Sequence, residues 1–203
     1  MRQGTVLETA KATIQSEIDA LENLLQSIDE NFEKAVDLIR CTPGRVVVVI
    51  TGVGKSGHIG KKIAATLASL GTPASFVHAT EGVYGDLGMI TPKDIVIAIS
   101  NSGKTRETLD LIVPIRQIGA KLVALTSQSD SELARQADLV LNIGVQTEAD
   151  PLGLAPTNST TATLALGDAL AITLSVNKKF TREDFGKFHP GGSLGEKLQE
   201  EQK

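Results

Sequence analysis

Two short glycine- and hydroxyl-rich segments carry the residue types that hold an anion without a metal. The first, Gly52-Val53-Gly54-Lys55-Ser56-Gly57, follows an apolar run and opens a helical pattern. Its N–H groups and the positive end of a helix dipole are therefore available to a phosphate. The second, Ser100-Asn101-Ser102-Gly103-Lys104-Thr105, gathers hydroxyls, an amide and exposed N–H groups at a strand end just before a helix, a composition able to wrap a terminal phosphate. The plainer reading is that Ser100 to Ser102 cap that helix, which serine and asparagine do well. Four ionisable residues, Lys55, Glu107, Glu148 and His189, could move a proton or stabilise an oxyanion on a bound ligand. Each has a bland alternative: Lys55 as a counter-charge to phosphate, Glu107 as a first-turn helix carboxylate, Glu148 as a solvated loop charge. His189 stands in Phe188-His189-Pro190-Gly191-Gly192, where proline and glycine set a rigid turn suited to a positioned side chain.

Other anion-binding loops fit less well. Gly52, Gly54 and Gly57 match G-x-G-x-x-G, but a dinucleotide site also wants an acidic residue ending the second strand, and that strand runs into Val77-His78-Ala79. A Walker A loop would need glycine where Val49 stands, which excludes the P-loop spacing.

The elements that must position these loops follow from periodicity. Ile14, Ile18, Leu21, Leu25 and Ile28 recur at steps of four and three, the seam of an amphipathic helix from about Thr5 to Ile28. A second helix covers about Glu30 to Arg40; both precede the first strand and have the look of a lid or a subunit contact. After the break at Thr42-Pro43-Gly44, the run from Val46 to Ile50 is apolar on both faces, as a central parallel strand must be. Strands are then expected at Ala74 to Val77, Ile95 to Ile99, Leu122 to Leu125 and Leu139 to Ile143. Helices are expected at His58 to Leu70, Thr105 to Ile118, Ser131 to Gln136 and Ser159 to Val176. Such alternation predicts an α/β fold: a three-layer αβα sandwich on a five-stranded parallel sheet of flavodoxin-like order 2-1-3-4-5, preceded by N-terminal helices. The expected organisation is one domain over residues 1–203, with helices in 1–41, the core in 45–180, and a C-terminal helix and His-Pro-Gly-Gly turn in 181–203. In that order the loops after strands one and three meet at the switch point where ligands bind. The irregular stretch from Gln146 to Thr157 is too long for a plain connection and is expected to carry function.

Composition removes several classes. A net charge of −4 and an aromatic content of 3% disfavour nucleic acid and anionic membrane as partners. The single cysteine, Cys41, excludes an internal disulfide framework and is expected as a semi-buried residue at a helix end. No run approaches the roughly 18 consecutive apolar residues of a membrane span, and the N-terminus does not lead into a signal-peptide core, so a cytoplasmic protein is expected.

At its loops the chain resembles the SIS (sugar isomerase) domain family. The resemblance rests on the segments beginning at Gly54 and Ser100, on His78, on Gly85-Asp86-Leu87-Gly88-Met89, on Pro151 to Thr157, on Gly167-Asp168-Ala169-Leu170 and on His189-Pro190-Gly191-Gly192. In order along nearly the whole chain they look like the KpsF/GutQ branch, the arabinose 5-phosphate isomerases. The resemblance implies interconversion of D-arabinose 5-phosphate and D-ribulose 5-phosphate through an enediolate, with no redox cofactor required. It places phosphate on Ser56, Ser100, Asn101, Ser102 and Thr105, catalysis on Lys55, Glu107, Glu148 and His189, further substrate contacts on Gly71 and Thr72, and an inhibitory zinc at His78. It leaves open which glutamate is the base. It also implies a homo-oligomer, a tetramer, with part of the Ile14 to Ile28 seam against a partner chain.

Two departures stand out. Tyr84 occupies the place of a family histidine at the substrate site, and tyrosine does not titrate near neutral pH, so low activity on arabinose 5-phosphate is expected. The chain ends near Lys203 where many relatives continue into paired CBS domains, so regulation through such domains is not expected. The rival reading is a phosphosugar-binding sensor or regulatory module without turnover; another is a different aldose-ketose pair such as a hexulose 6-phosphate.

Overall fold

The computed structural model describes residues 5–42 and 47–191. Pro43, Gly44 and Val46 of the expected break and first strand, and Gly192 of the C-terminal turn, lie outside them.

Helix α1 (Val6–Ser27) starts at a capping box in which Thr5 and Glu8 satisfy each other's N–H groups. Asp29 caps α2 (Glu30–Cys41). The alternation then runs β1 (Val48–Gly52), α3 (Gly54–Ser69), β2 (Ala74–His78), α4 (Ala79–Gly82), a 3₁₀ turn (Asp86–Met89), β3 (Ile95–Ile99), α5 (Arg106–Leu109) and α6 (Ile112–Ile118). It continues with β4 (Lys121–Thr126), α7 (Glu132–Gln136), β5 (Leu139–Asn142), α8 (Asn158–Asn177) and α9 (Arg182–Phe188). The strands form one parallel sheet in the order β2-β1-β3-β4-β5, as expected.

Side chains alternate between the sheet's faces and divide the core in two. Val48, Ile50, Ile97, Ile99 and Leu125 pack with Ile63 and Leu67 of α3, Leu166, Leu170 and Leu174 of α8, and residues of α1 and α2. Val49, Val96, Ala98, Leu122 and Ala124 pack on the other face against Leu111, Ile112, Ile115 and Leu133. These are the three layers. Gly167 lets α8 lie against α3, because a Cβ there would stand 2.4 Å from Ile63.

Several expectations change. The helix expected over Thr105 to Ile118 is two, α5 and α6, with a break at Asp110 and Leu111. Pro114 has no N–H for the Asp110 carbonyl and its ring crowds that turn. Helix α3 begins at Gly54 rather than His58, so the first glycine loop is itself the opening turn. The short helix α4 and the 3₁₀ turn have too few residues to show a period. The N-terminal helices are not merely a lid, since Ala20, Leu24, Val36 and Ile39 belong to the core. Cys41 is at a helix end but exposed, because it falls opposite the buried Ala35, Val36 and Ile39 face of α2. Helix α8 has the length and apolarity of a membrane span by composition. Its contacts with α1, α2 and α3 and its ten buried residues account for that apolarity as packing.

Candidate active site

A cleft of about 840 Å³ opens at the carboxyl ends of the strands, where the order of the sheet turns from β1 to β3 and open α/β sheets bind ligands. Ser56 reaches it from the first turn of α3, and Asn101, Ser102, Lys104 and Thr105 from the loop after β3. The far wall comes from the β5–α8 segment, including Gln146, Glu148 and Asp150.

The β3–α5 loop is braced from behind by the next connection in the sheet. Thr126 Oγ1 and the Ser127 N–H both donate to the Asn101 carbonyl, at 3.0 and 3.1 Å. Ser127 Oγ donates to Asn101 Oδ1 at 2.6 Å, so the amide's NH₂ end is the one left for a ligand. The Leu133 N–H donates to the Gly103 carbonyl at 3.1 Å. Ser100 is buried and shares a 2.8 Å hydrogen bond with Thr105 Oγ1; it does not line the cleft and shapes the loop from within. Asn101, Ser102, Thr105 and Ser56 do line it.

Glu148 is not a solvated loop charge. Its Oε2 accepts from the Thr157 N–H at 2.8 Å, the Thr157 hydroxyl at 3.2 Å and the Ser159 N–H at 3.1 Å, and Ser159 Oγ donates to its Oε1. The carboxylate thus caps α8 from outside the helix, where the helix dipole favours negative charge. Asp150 organises the turn beyond: it accepts from the N–H groups of Leu152, Leu154 and Ala155 at 3.2, 3.0 and 3.0 Å. The N–H groups of Ala155, Leu154 and Leu152, in that order, hold its carboxyl below the usual range.

The remaining expected site residues are not gathered here within one chain. Lys55 and Glu107 are exposed at the starts of α3 and α5, next to lining residues but not among them. Tyr84 is 84% exposed between α4 and the 3₁₀ turn. His78 ends β2 with its Nδ1 buried and without a partner. Among the described residues no three His, Cys, Asp or Glu side chains converge, so those residues place no companion ligands of a zinc site around His78. Gly71 and Thr72 precede β2 at the opposite end of the sheet, where Lys178 Nζ donates to both. Lys178 directly follows α8, whose 20 residues span about 30 Å from the Glu148 end. His189 follows α9 in the same region of the chain, stacked on Phe185 at 3.8 Å. Its Nδ1 donates to the Phe185 carbonyl at 2.8 Å, which leaves Nε2 as the ring's acceptor.

Ser127, Gln128, Ser131 and Ser159 were not singled out from the sequence. The first three lie in Thr126-Ser127-Gln128-Ser129-Asp130-Ser131, a hydroxyl cluster at a strand end of the same kind that marked Ser100 to Thr105. Ser159 had no such signal, since its partner is fixed by the path of the β5–α8 segment.

Residues 45–173 match the SIS domain, and the chain belongs to that family. It is 53% identical to the arabinose 5-phosphate isomerase KdsD of Pseudomonas aeruginosa over 192 residues, 95% of this chain and 58% of that protein. It is 50% identical to KdsD of Escherichia coli K12 over 191 residues, 94% of this chain and again 58% of the relative. The chain therefore spans little more than half the length of these curated relatives. The solved structure of c3406 from E. coli CFT073 in complex with arabinose 5-phosphate superposes with a TM-score of 0.86 at 44% identity, covering 94% of this chain and 100% of that one.

Proposed function

We propose that the chain is the isomerase domain of an arabinose 5-phosphate isomerase, interconverting D-arabinose 5-phosphate and D-ribulose 5-phosphate in the cytoplasm. The observation that carries the reading is that Glu148 and the phosphate-type hydroxyls Ser56, Ser102 and Thr105 line the same cleft. Isomerases at 50% and 53% identity and a structural neighbour holding arabinose 5-phosphate support it. Phosphate is held by Ser56, Asn101, Ser102 and Thr105, with Ser100 shaping their loop. The open-chain sugar extends toward the β5–α8 wall. Glu148 takes the C2 proton of the aldose, the electrons form a cis-enediolate, and return of the proton to C1 with transfer of the hydroxyl proton between O2 and O1 gives the ketose. Of the two candidate glutamates, Glu148 lines the cleft and Glu107 does not. Lys55 steadies the developing oxyanion and His189 assists ring opening. The proton moves within one substrate, so the chemistry calls for no redox cofactor.

The active assembly is a homo-oligomer, proposed as a tetramer. Ile14 and Leu25 on α1 are 60% and 70% exposed, an unpartnered apolar row on a helix otherwise docked on α8. The separation of Gly71, Thr72 and His189 from the Glu148 cleft also fits a site completed between copies. Sedimentation at micromolar concentration should give no monomer peak. Incubation with arabinose and ribulose 5-phosphates in deuterated water, with hexulose 6-phosphates in parallel, tests the function. Deuterium at C1 or C2 of the pentoses is expected. Tight phosphosugar binding with no exchange would replace the isomerase by a sensor module.

A further inference from the structure

Resting on the reading of Glu148 as the base, we infer that Ser159 and Thr157 are positioning residues that select which carboxylate oxygen carries the proton. A carboxylate oxygen has two lone pairs. Oε2 receives three donors, the Thr157 N–H, the Thr157 hydroxyl and the Ser159 N–H, and has no lone pair left to offer a substrate. Oε1 receives only the Ser159 hydroxyl and keeps one. The proton from carbon therefore goes to Oε1, while Oε2 anchors the group to the end of α8.

The clamp is itself held in place. Thr157 Oγ1 accepts the Ala149 N–H at 2.9 Å, so the residue after Glu148 is tied to the hydroxyl that grips it. Ser159 is 3% exposed. It also borders a small void of about 60 Å³ shared with Ser56, Asn101 and Pro156, residues that line the cleft as well. Ser159 therefore touches the base through its hydroxyl and borders a void shared with Ser56 and with Asn101 of the loop after β3, a place from which it fixes the carboxylate relative to the sugar carbon. Proton transfer depends steeply on such placement, whereas phosphate binding, made by other residues, does not.

The test uses the whole chain and steady-state kinetics with arabinose 5-phosphate. Ser159→Ala should lower kcat by about tenfold or more while KM stays within about twofold, the pattern of an interaction that matters in the transition state rather than in binding. Ser159→Thr, which keeps the hydroxyl, should recover most of kcat. If Ser159→Ala does not fold by circular dichroism, Ser159→Cys, whose thiol is a weak donor of similar volume, read against Ser159→Thr asks the same question, and the same split is expected. A folded Ser159→Ala variant with wild-type kcat, or one whose KM rises while kcat holds, overturns the inference. So does a Ser159→Thr variant no better than Ser159→Ala. Glu148→Gln separates the two levels: activity surviving that change removes Glu148 as the base, whereas activity lost there but intact in Ser159→Ala removes only the clamp.

Discussion

A Cβ placed on Gly103 would stand 2.0 Å from the Ser131 Oγ, and Gly103 has a φ of +61°. The β3–α5 loop passes so tightly over the start of α7 that no other residue fits, in space or in backbone conformation. Ser131 in turn caps α7 through its hydroxyl, which accepts from the Ala134 N–H at 3.3 Å. Gly103→Ala should therefore destabilise the protein by about 1–3 kcal/mol and displace Ser102 and Thr105 from the cleft. Urea denaturation and a calorimetric titration with arabinose 5-phosphate would check both, with affinity expected to fall more than tenfold. Unchanged affinity would mean that the loop does not hold the phosphate.

The serines flanking Asn101 should behave differently from one another. Ser102 is exposed in the cleft, so Ser102→Ala should leave stability unchanged and weaken binding about tenfold, the equivalent of one charge-assisted hydrogen bond. Ser100 is buried against Thr105. Ser100→Ala should cost about 1–3 kcal/mol of stability and affect binding through the loop. Calorimetry beside thermal melting distinguishes the two; equal melting losses would show that Ser102 is also a packing residue.

The Asp150 turn should depend on pH in a defined direction. A carboxyl held below its unfolded value contributes fully above that value, near 3.9, and the contribution is lost as pH falls through the lower folded one. The turn from Asp150 to Ala155 should thus be constant from neutral pH to about pH 4 and open below it. Amide exchange at Leu154 and Ala155 reports this directly. Asp150→Asn should raise their exchange at neutral pH; protection equal to wild type would show that the turn holds without the charge.

Tyr84 is the residue on which the expected activity turns. As tyrosine it can donate a hydrogen bond but is no imidazole able to take and return a proton, and its exposure leaves it free to meet a neighbouring chain. Activity on arabinose 5-phosphate should be low and should rise in Tyr84→His, measured as initial rates in both directions. Robust native activity that falls in Tyr84→His would show tyrosine to be a working variant.

Periodicity in the sequence determined the layers of the fold. Ile95 to Ile99 is apolar on both faces and lies in the sheet's interior with both core clusters against it. The seam from Ile14 to Ile28 shows the limit of the same signal: the row is real, yet Ile14 and Leu25 face outward while Ala20 and Leu24 face the core, because periodicity marks a stripe without naming its partner. Ser100 to Thr105 stood out in the sequence as a hydroxyl-rich strand end before a helix, and Asn101, Ser102 and Thr105 line the cleft. Only the tertiary structure decided what each residue does there. Ser127 reaches Asn101 across 26 positions because β4 lies beside β3 in a register pairing Ile99 with Leu125, and no local pattern encodes a neighbouring strand's register. The Glu148 contacts with Thr157 and Ser159 span 9 and 11 residues of irregular chain. Loop backbone has no period to read, so the carboxylate's contacts with the start of α8 follow from the path of that segment rather than from any local pattern.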